Sequence, residues 1–274
     1  MQYIGSCIIK NGVIESLEDQ EPMGADMEVY EVIRVEGGCP LFLEDHMDRW
    51  RTSMEATKHP LPQWTSKFEN LISWLIVCNG ITDCDLRIAS GANDTIQCGF
   101  IETHYPTPDM YAEGVECQIL RAEREDPRLK IYHHQMREDA AKQQTTTKAY
   151  ESLLVNRNGE VTEGSRSNVY FVGNDGIIRT APDNMVLGGI MRKKVTALCQ
   201  TLGIELEYKA VKESEIGQYS VAFLSSTPMR ILPIRQIGSV VYNKQGEGAA
   251  QEVLRRLMSE MERVVANQKN GCKK

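Results

Sequence analysis

The chain lacks several features that would have decided its class at once. No Cys-x-x-Cys pair occurs among its eight cysteines, and His133 and His134 are adjacent with no cysteine at ligand spacing. A zinc site is therefore not expected. No apolar run approaches the ~20 residues needed to span a bilayer; the longest, Leu71 to Val77, is interrupted by Ser73 and Trp74. The first residues show no basic stretch followed by an apolar core, so no signal peptide is expected. Basic charge is in deficit: 31 Lys and Arg against 38 Asp and Glu give a net charge of −7. A nucleic-acid or anionic-membrane partner needs a basic footprint, so neither is expected. Internal repeats and low-complexity segments are absent.

What is present is an ordinary globular balance, 41% hydrophobic and 25% charged residues in 274. Cys7, Cys78 and Cys199 lie in apolar stretches, as small buried hydrophobes do, and a reducing, cytoplasmic setting is expected. Asn11-Gly12 between Tyr3–Ile9 and Val13–Ile14 predicts a hairpin. A strand is expected over 29–35, and Glu36-Gly37-Gly38 should turn it into 40–43. Helices are expected over 44–58, 62–78, 137–150, 190–202 and 247–266, with Gly203 closing the fourth. Strands are expected over 85–89 and 95–102 around Gly91-Ala92-Asn93, and over 115–121, 153–156, 161–163, 168–172, 221–225 and 237–242. The final NQKNGCKK should fray. Two prolines in Tyr105-Pro106-Thr107-Pro108-Asp109 mark the best linker. The expected domains are therefore 1–105, a small α/β unit, and 106–274, a larger one.

The segment from Lys148 to Phe171, KAYESLLVNRNGEVTEGSRSNVYF, resembles the signature of the class IV aminotransferases, the fold type IV pyridoxal-phosphate enzymes. VYEVIR with FLEDHMDR (29–49), LGGIMRKKV (187–195) and FLSSTPMRILPI (223–234) agree and fall in the family's order. V-T-E-G-S-x-S-N is the specific part. The resemblance implies a mixed α/β (α+β) fold of two domains, the larger a pseudo-barrel, with pyridoxal 5'-phosphate in the cleft between them. It also implies a homodimer.

It further implies roles. Lys130 matches the lysine that carries the cofactor as a Schiff base; it precedes Glu163 by thirty-three residues, similar to the family's spacing. An amine is needed to hold the cofactor and later to shuttle a proton. Lys142 and Lys148 lie nearer the signature, in the expected helix. Glu163 matches the carboxylate beside the ring nitrogen, where a negative charge favours the protonated ring. Arg49 is the candidate phosphate arginine, with Arg34 and Arg51 as rivals. Gly189, Ile190 and Met191 open a helix whose N–H groups suit an anion, with Thr227 or Ser226 adding a hydroxyl.

The chain departs from the family at three places. Met191 stands where a threonine is common. Pro228 follows Thr227 and has no N–H to give. His134 stands where a tyrosine approaches the cofactor's phenolic oxygen, a role an imidazole could take; a cap on the following helix is the other reading. Tyr30 is the candidate substrate-side aromatic, or else a core tyrosine. His104 is a partial substitute for the Arg-x-His pair of the D-amino-acid enzymes, or a plain loop histidine. Arg230, where many transaminases have Glu, leaves room for a more anionic substrate. The expected reaction moves an amino group between a small, branched-chain-like amino acid and a 2-oxo acid. An aminodeoxychorismate lyase and a non-catalytic cofactor-binding protein stay open.

Overall fold

The computed structural model describes residues 2–19, 27–91, 94–242 and 246–272. The chain divides into two compact units. The first comprises Met1–His104, Leu129–Tyr132 and Val265–Lys274; the second comprises Tyr105–Arg128 and His133–Val264. The linker segment thus begins at the break between units. Its Thr107, Pro108 and Asp109 also start a short helix, capped where the Thr107 hydroxyl accepts from Met110 N–H.

The first unit has strands β1 (Tyr3–Lys10), β2 (Val13–Ser16), β3 (Met27–Glu36), β4 (Cys39–Pro40), β5 (Asp83–Gly91) and β6 (Ile96–Ile101), with helices α1 (Leu43–Ala56) and α2 (Phe68–Asn79). Its sheet runs β2-β1-β6-β5-β3-β4. Asn11-Gly12 makes the expected hairpin, with Lys10 opposite Val13. Alternation decides the faces. Val29, Ile33 and Val35 of β3 and Leu86 and Ile88 of β5 meet Met47, Trp50 and Met54 of α1 and Phe68, Ile72 and Leu75 of α2 in one core. The expected 40–43 strand shrinks to two residues, because α1 already begins at Leu43. Residues 63–67 form a 3-10 turn and α2 starts only at Phe68. Ala92 and Asn93, in the turn expected between β5 and β6, lie outside the described residues.

The second unit continues with α3 (Pro108–Glu113), β7 (Val115–Arg121), α4 (His134–Thr147), β8 (Glu151–Val155), β9 (Glu160–Gly164), β10 (Asn168–Val172), β11 (Ile178–Thr180) and α5 (Ile190–Leu202). It ends with β12 (Leu206–Tyr208), β13 (Val211–Lys212), β14 (Val221–Ser226), β15 (Arg230–Ile237), β16 (Val240–Val241) and the first part of α6 (Ala249–Cys272), whose residues from Val265 onward belong to the first unit. The sheet order is β12-β11-β10-β14-β15-β7-β8-β9-β13, with β16 on β15. An extra pairing of β10 with β9, Asn168 opposite Glu163, closes the sheet on itself like a barrel. That closure puts Glu163 at a strand end inside the unit.

Four expectations change. The strand expected over 237–242 is the end of β15, a turn at Gly238 and the two residues of β16. No strand is expected over 230–236; β15 tolerates Pro233 there because pairing with β7 begins only at Ile234. Lys130 is on no regular strand: its segment is an extended strap joined to β3 by a single bridge, Ile131 to Val29, and it packs in the first unit rather than in the second. The terminal residues 267–272 do not fray but finish α6. Cys7 and Cys78 are not isolated thiols; they form a disulfide, as do Cys39 and Cys272. β1 lies against α2, and the end of α6 reaches the β3–β4 turn, where Lys269 Nζ meets Glu36 Oε1 at 2.8 Å.

Candidate active site

Lys130 belongs to a polar group built by β3, α1 and the strap. Its carbonyl accepts from Tyr30 N–H at 3.1 Å, and Tyr132 N–H donates to Glu28 O at 2.8 Å. Its own N–H donates to Ser53 Oγ at 3.1 Å. These bonds fix the strap, so the side chain leaves from a defined point. The Nζ lies 4.6 Å from the centre of the Tyr30 ring. Tyr132 meets Tyr30 edge-on at 5.7 Å. Arg87, on β5 and only 5% exposed, has its guanidinium carbon 5.5 Å from the Tyr30 ring and 5.7 Å from that of Tyr132.

Beneath the strap, α1 offers His46, Arg49 and Ser53 at helical spacing, one polar stripe beside the apolar stripe of Met47, Trp50 and Met54. Arg49 is bound by Glu31 of β3: its Nε and one Nη donate to the two carboxylate oxygens at 2.6 and 2.7 Å. His46 Nδ1 lies 2.8 Å from Glu31 Oε2. Burial would raise the Glu31 carboxyl, but the charge and hydrogen bonds of Arg49 and the hydrogen bond of His46 win and bring it down to about 2. His46 is pushed down, first by burial and then by the charges of Arg49 and Lys130. A neutral imidazole donating to a carboxylate follows, not an ion pair. The rivals to Arg49 are engaged elsewhere: Arg34 with Glu36, Arg51 with Asp48 and Glu69.

Glu163 belongs to a second group, inside the second unit, and is 2% exposed. Oε1 accepts from Arg124 Nε at 2.7 Å and Oε2 from Leu187 N–H at 3.1 Å. The turn after it is held by Glu151, which is fully buried. Glu151 accepts from the hydroxyls of Ser165 and Ser167 at 2.6 and 2.9 Å and from Arg166 N–H at 3.2 Å. Gly164 is required there: a Cβ would sit 2.2 Å from Ser167 Oγ and 3.0 Å from the Glu151 carboxyl carbon. The V-T-E-G-S-x-S-N run is thus a loop wrapped round one buried carboxylate.

Gly189 is the N-cap of α5, with no side-chain cap and no acidic residue in the first turn. Ile190 and Met191 follow, each 1% exposed. The N–H groups and dipole of such a helix end suit an anion. A Cβ on Gly189 would come within 2.3 Å of Asn168 Oδ1, while Asn168 Nδ2 donates to Leu187 O at 3.0 Å. Thr227 is 7% exposed just past β14, next to Ser226, whose buried hydroxyl has no protein partner.

His134 is exposed at the first position of α4, while His133, the N-cap residue, carries a buried Nε2 with no protein partner. Helix entry turns one side chain outward and keeps the other in. His133 is pushed down to about 4 by burial and then by the charges of Arg124 and Arg137, against Asp126. His104 is exposed, in the loop after β6. Arg230, weighed as a reader of substrate charge, pairs with Glu262 of α6.

The donor set fits pyridoxal 5'-phosphate. The first unit offers an amine beside an aromatic face and an arginine; the second offers a carboxylate fixed at a strand end, a helix N-terminus without a side-chain cap and an orphaned buried hydroxyl. Sequence reasoning missed Glu31, Arg87, Arg124, His133 and Glu151. A carboxylate in the apolar run VYEVIRV was a usable sign of a buried partner. Arg124, in the charged run RAEREDPR, looked like a solvated face.

The family model described as amino-transferase class IV matches residues 28–237. The chain is 28% identical over 226 residues to a D-alanine aminotransferase of Bacillus licheniformis, covering 76% of this chain and 78% of that protein. It is 24% identical over 264 residues to an aminodeoxychorismate lyase of Bacillus subtilis, covering 89% and 88%. The fold is similar to that of a T.th. branched-chain amino acid aminotransferase solved with pyridoxamine 5'-phosphate: TM-score 0.83, 20% identity, 97% of this chain and 96% of that one.

Proposed function

The chain belongs to amino-transferase class IV, and from that premise we propose that Lys130 and Glu163 serve one pyridoxal 5'-phosphate in moving an amino group between a small amino acid and a 2-oxo acid. The observation that carries the reading is the pair of fixed groups: Lys130 Nζ held against Tyr30, and Glu163 held by Arg124 and Leu187 N–H. When bound, the cofactor supplies a carbonyl that takes up an amine and a ring that accepts the electron pair released at the substrate carbon.

The residues divide the remaining work. Lys130 would hold the cofactor through Nζ and, at the same atom, take a proton from the substrate carbon and return it. Glu163 gives the ring nitrogen a negative neighbour. The phosphate falls to Arg49, the N–H groups at Gly189, Ile190 and Met191, and the Thr227 or Ser226 hydroxyl. Glu31 fixes the plane of the Arg49 fork, and a fixed fork loses less freedom on binding an anion. Met191 contributes backbone only, and Pro228 contributes no N–H. His134 is the imidazole for the cofactor's phenolic oxygen in this reading, with its neighbour His133, whose buried Nε2 has no protein partner, as the alternative. Tyr30 borders the substrate side. Arg87, a buried cation against Tyr30, suits a substrate carboxylate, with His104 as the second candidate for it.

A branched-chain-like amino acid is the favoured donor, supported by the fold's likeness to the branched-chain enzyme. The D-alanine relative keeps D-amino acids in the panel, and the lyase relative supports a second reading. The test is purified, cofactor-loaded protein with L- and D-amino acids and a 2-oxo acid acceptor. New oxo acid from one or more donors supports the proposal. Pyruvate from aminodeoxychorismate with no transamination would replace it by the lyase, and a visible band with neither product by a binding protein. A homodimer belongs to the same reading and sedimentation checks it; a cytoplasmic setting, checked by fractionation of cells, requires Cys7–Cys78 and Cys39–Cys272 to be reduced there.

A further inference from the structure

Glu163 is held by two donors, and one of them is charged. Arg124 is 9% exposed as a residue, and its Nε lies 2.7 Å from Glu163 Oε1. Leu187 N–H takes Oε2 at 3.1 Å. One bond on each oxygen fixes both the plane and the tilt of the carboxylate. Each oxygen still has a second lone pair for another donor. The surroundings are polar and crowded on the α4 side, where His133 feels the charges of Arg124 and Arg137, with Asp126 opposing them. Arg137 itself donates to Ser165 O at 3.2 Å, on the turn that follows Glu163.

We infer that Arg124 is a positioning residue: it clamps Glu163 in the orientation in which the carboxylate meets the cofactor's ring nitrogen. The inference rests on the functional reading above and goes beyond it by assigning a role to a residue that acts on the cofactor through Glu163. The clamp has an electrostatic side as well. A guanidinium at 2.7 Å, in a site with little water, holds the carboxylate strongly, so Glu163 acts on the ring from one fixed point. Loss of Arg124 frees the carboxylate to rotate and to seek other donors. Lysine in its place restores a point charge but not the planar fork.

The experiment is a pH titration of the visible absorption of the cofactor-loaded protein without substrate, for wild type, R124K, R124M and E163Q. The proposal expects the R124M midpoint to move the same way as that of E163Q, by about one pH unit, a tenfold change in proton affinity. R124K should recover more than half of that displacement. An Arg124 that merely supports the fold would lower the unfolding temperature of R124M and leave its midpoint at the wild-type value; that result, with E163Q displaced, overturns the proposal. Equal displacement of R124K and R124M overturns it too. Should R124M fail to fold, R124K decides: a midpoint between wild type and E163Q supports the clamp, and a wild-type midpoint overturns it. A wild type without a visible band, or an E163Q with an unmoved midpoint, defeats the functional reading itself and the clamp with it.

Discussion

At the scale of single residues, buried charge is the organising fact. Glu31 has an ordinary value near 4.5 and is held at about 2 in the fold. Its pairing with Arg49 and His46 therefore stabilises the protein fully above pH 4.5 and is lost as pH falls from 4.5 toward 2. Glu31→Gln should be less stable than wild type at pH 7 and should lose most of its difference from wild type by pH 3, read from urea unfolding at each pH. Glu31→Ala, which strands Arg49, should cost roughly 3–5 kcal/mol at neutral pH. His133, pushed down to about 4 by burial and the charge of Arg124, stays neutral across the physiological range. Its ring-proton NMR signals should not titrate between pH 8 and 5, and titration near the ordinary 6.5 would contradict the buried Nε2. Gly189→Ala places a methyl 2.3 Å from Asn168 Oδ1. It should weaken cofactor retention at least severalfold, measured by dialysis of the loaded protein.

At the scale of elements, what the sequence disclosed followed from pattern and what it hid followed from contact. The strand over 115–121 and the helix over 190–202 were legible because alternation, or helical period with a closing glycine, runs unbroken through them. β15 was hidden because it carries Pro233, tolerated only because of where its pairing with β7 begins. The Lys130 strap was hidden because three hydrogen bonds to β3 and α1, not a local pattern, extend it. The end of α6 reads as a tail because polar residues dominate it; Cys272 and Lys269 anchor it instead to Cys39 and Glu36. Under oxidising conditions Cys272→Ser should lose about 2–4 kcal/mol of stability. In reducing buffer the variant and parent should melt together. A difference that persists in reducing buffer would mean that the side chain matters apart from the bond.

At the scale of the whole molecule, Lys130 and Glu163 lie in different compact units, each fixed by its own neighbours. The sequence named both because the signature and the spacing to the lysine are properties of the chain. It could not name Arg124, Glu31 or Glu151, because their roles exist only once strands and helices are brought together. The central claim is that Lys130 is the residue that carries the cofactor. Borohydride reduction of the loaded protein, followed by peptide mass mapping, tests it most directly. The account predicts a single pyridoxyl label on the peptide containing Lys130, absent from Lys130→Ala. A label on Lys142 or Lys148 instead, or an undiminished label in Lys130→Ala, would contradict it.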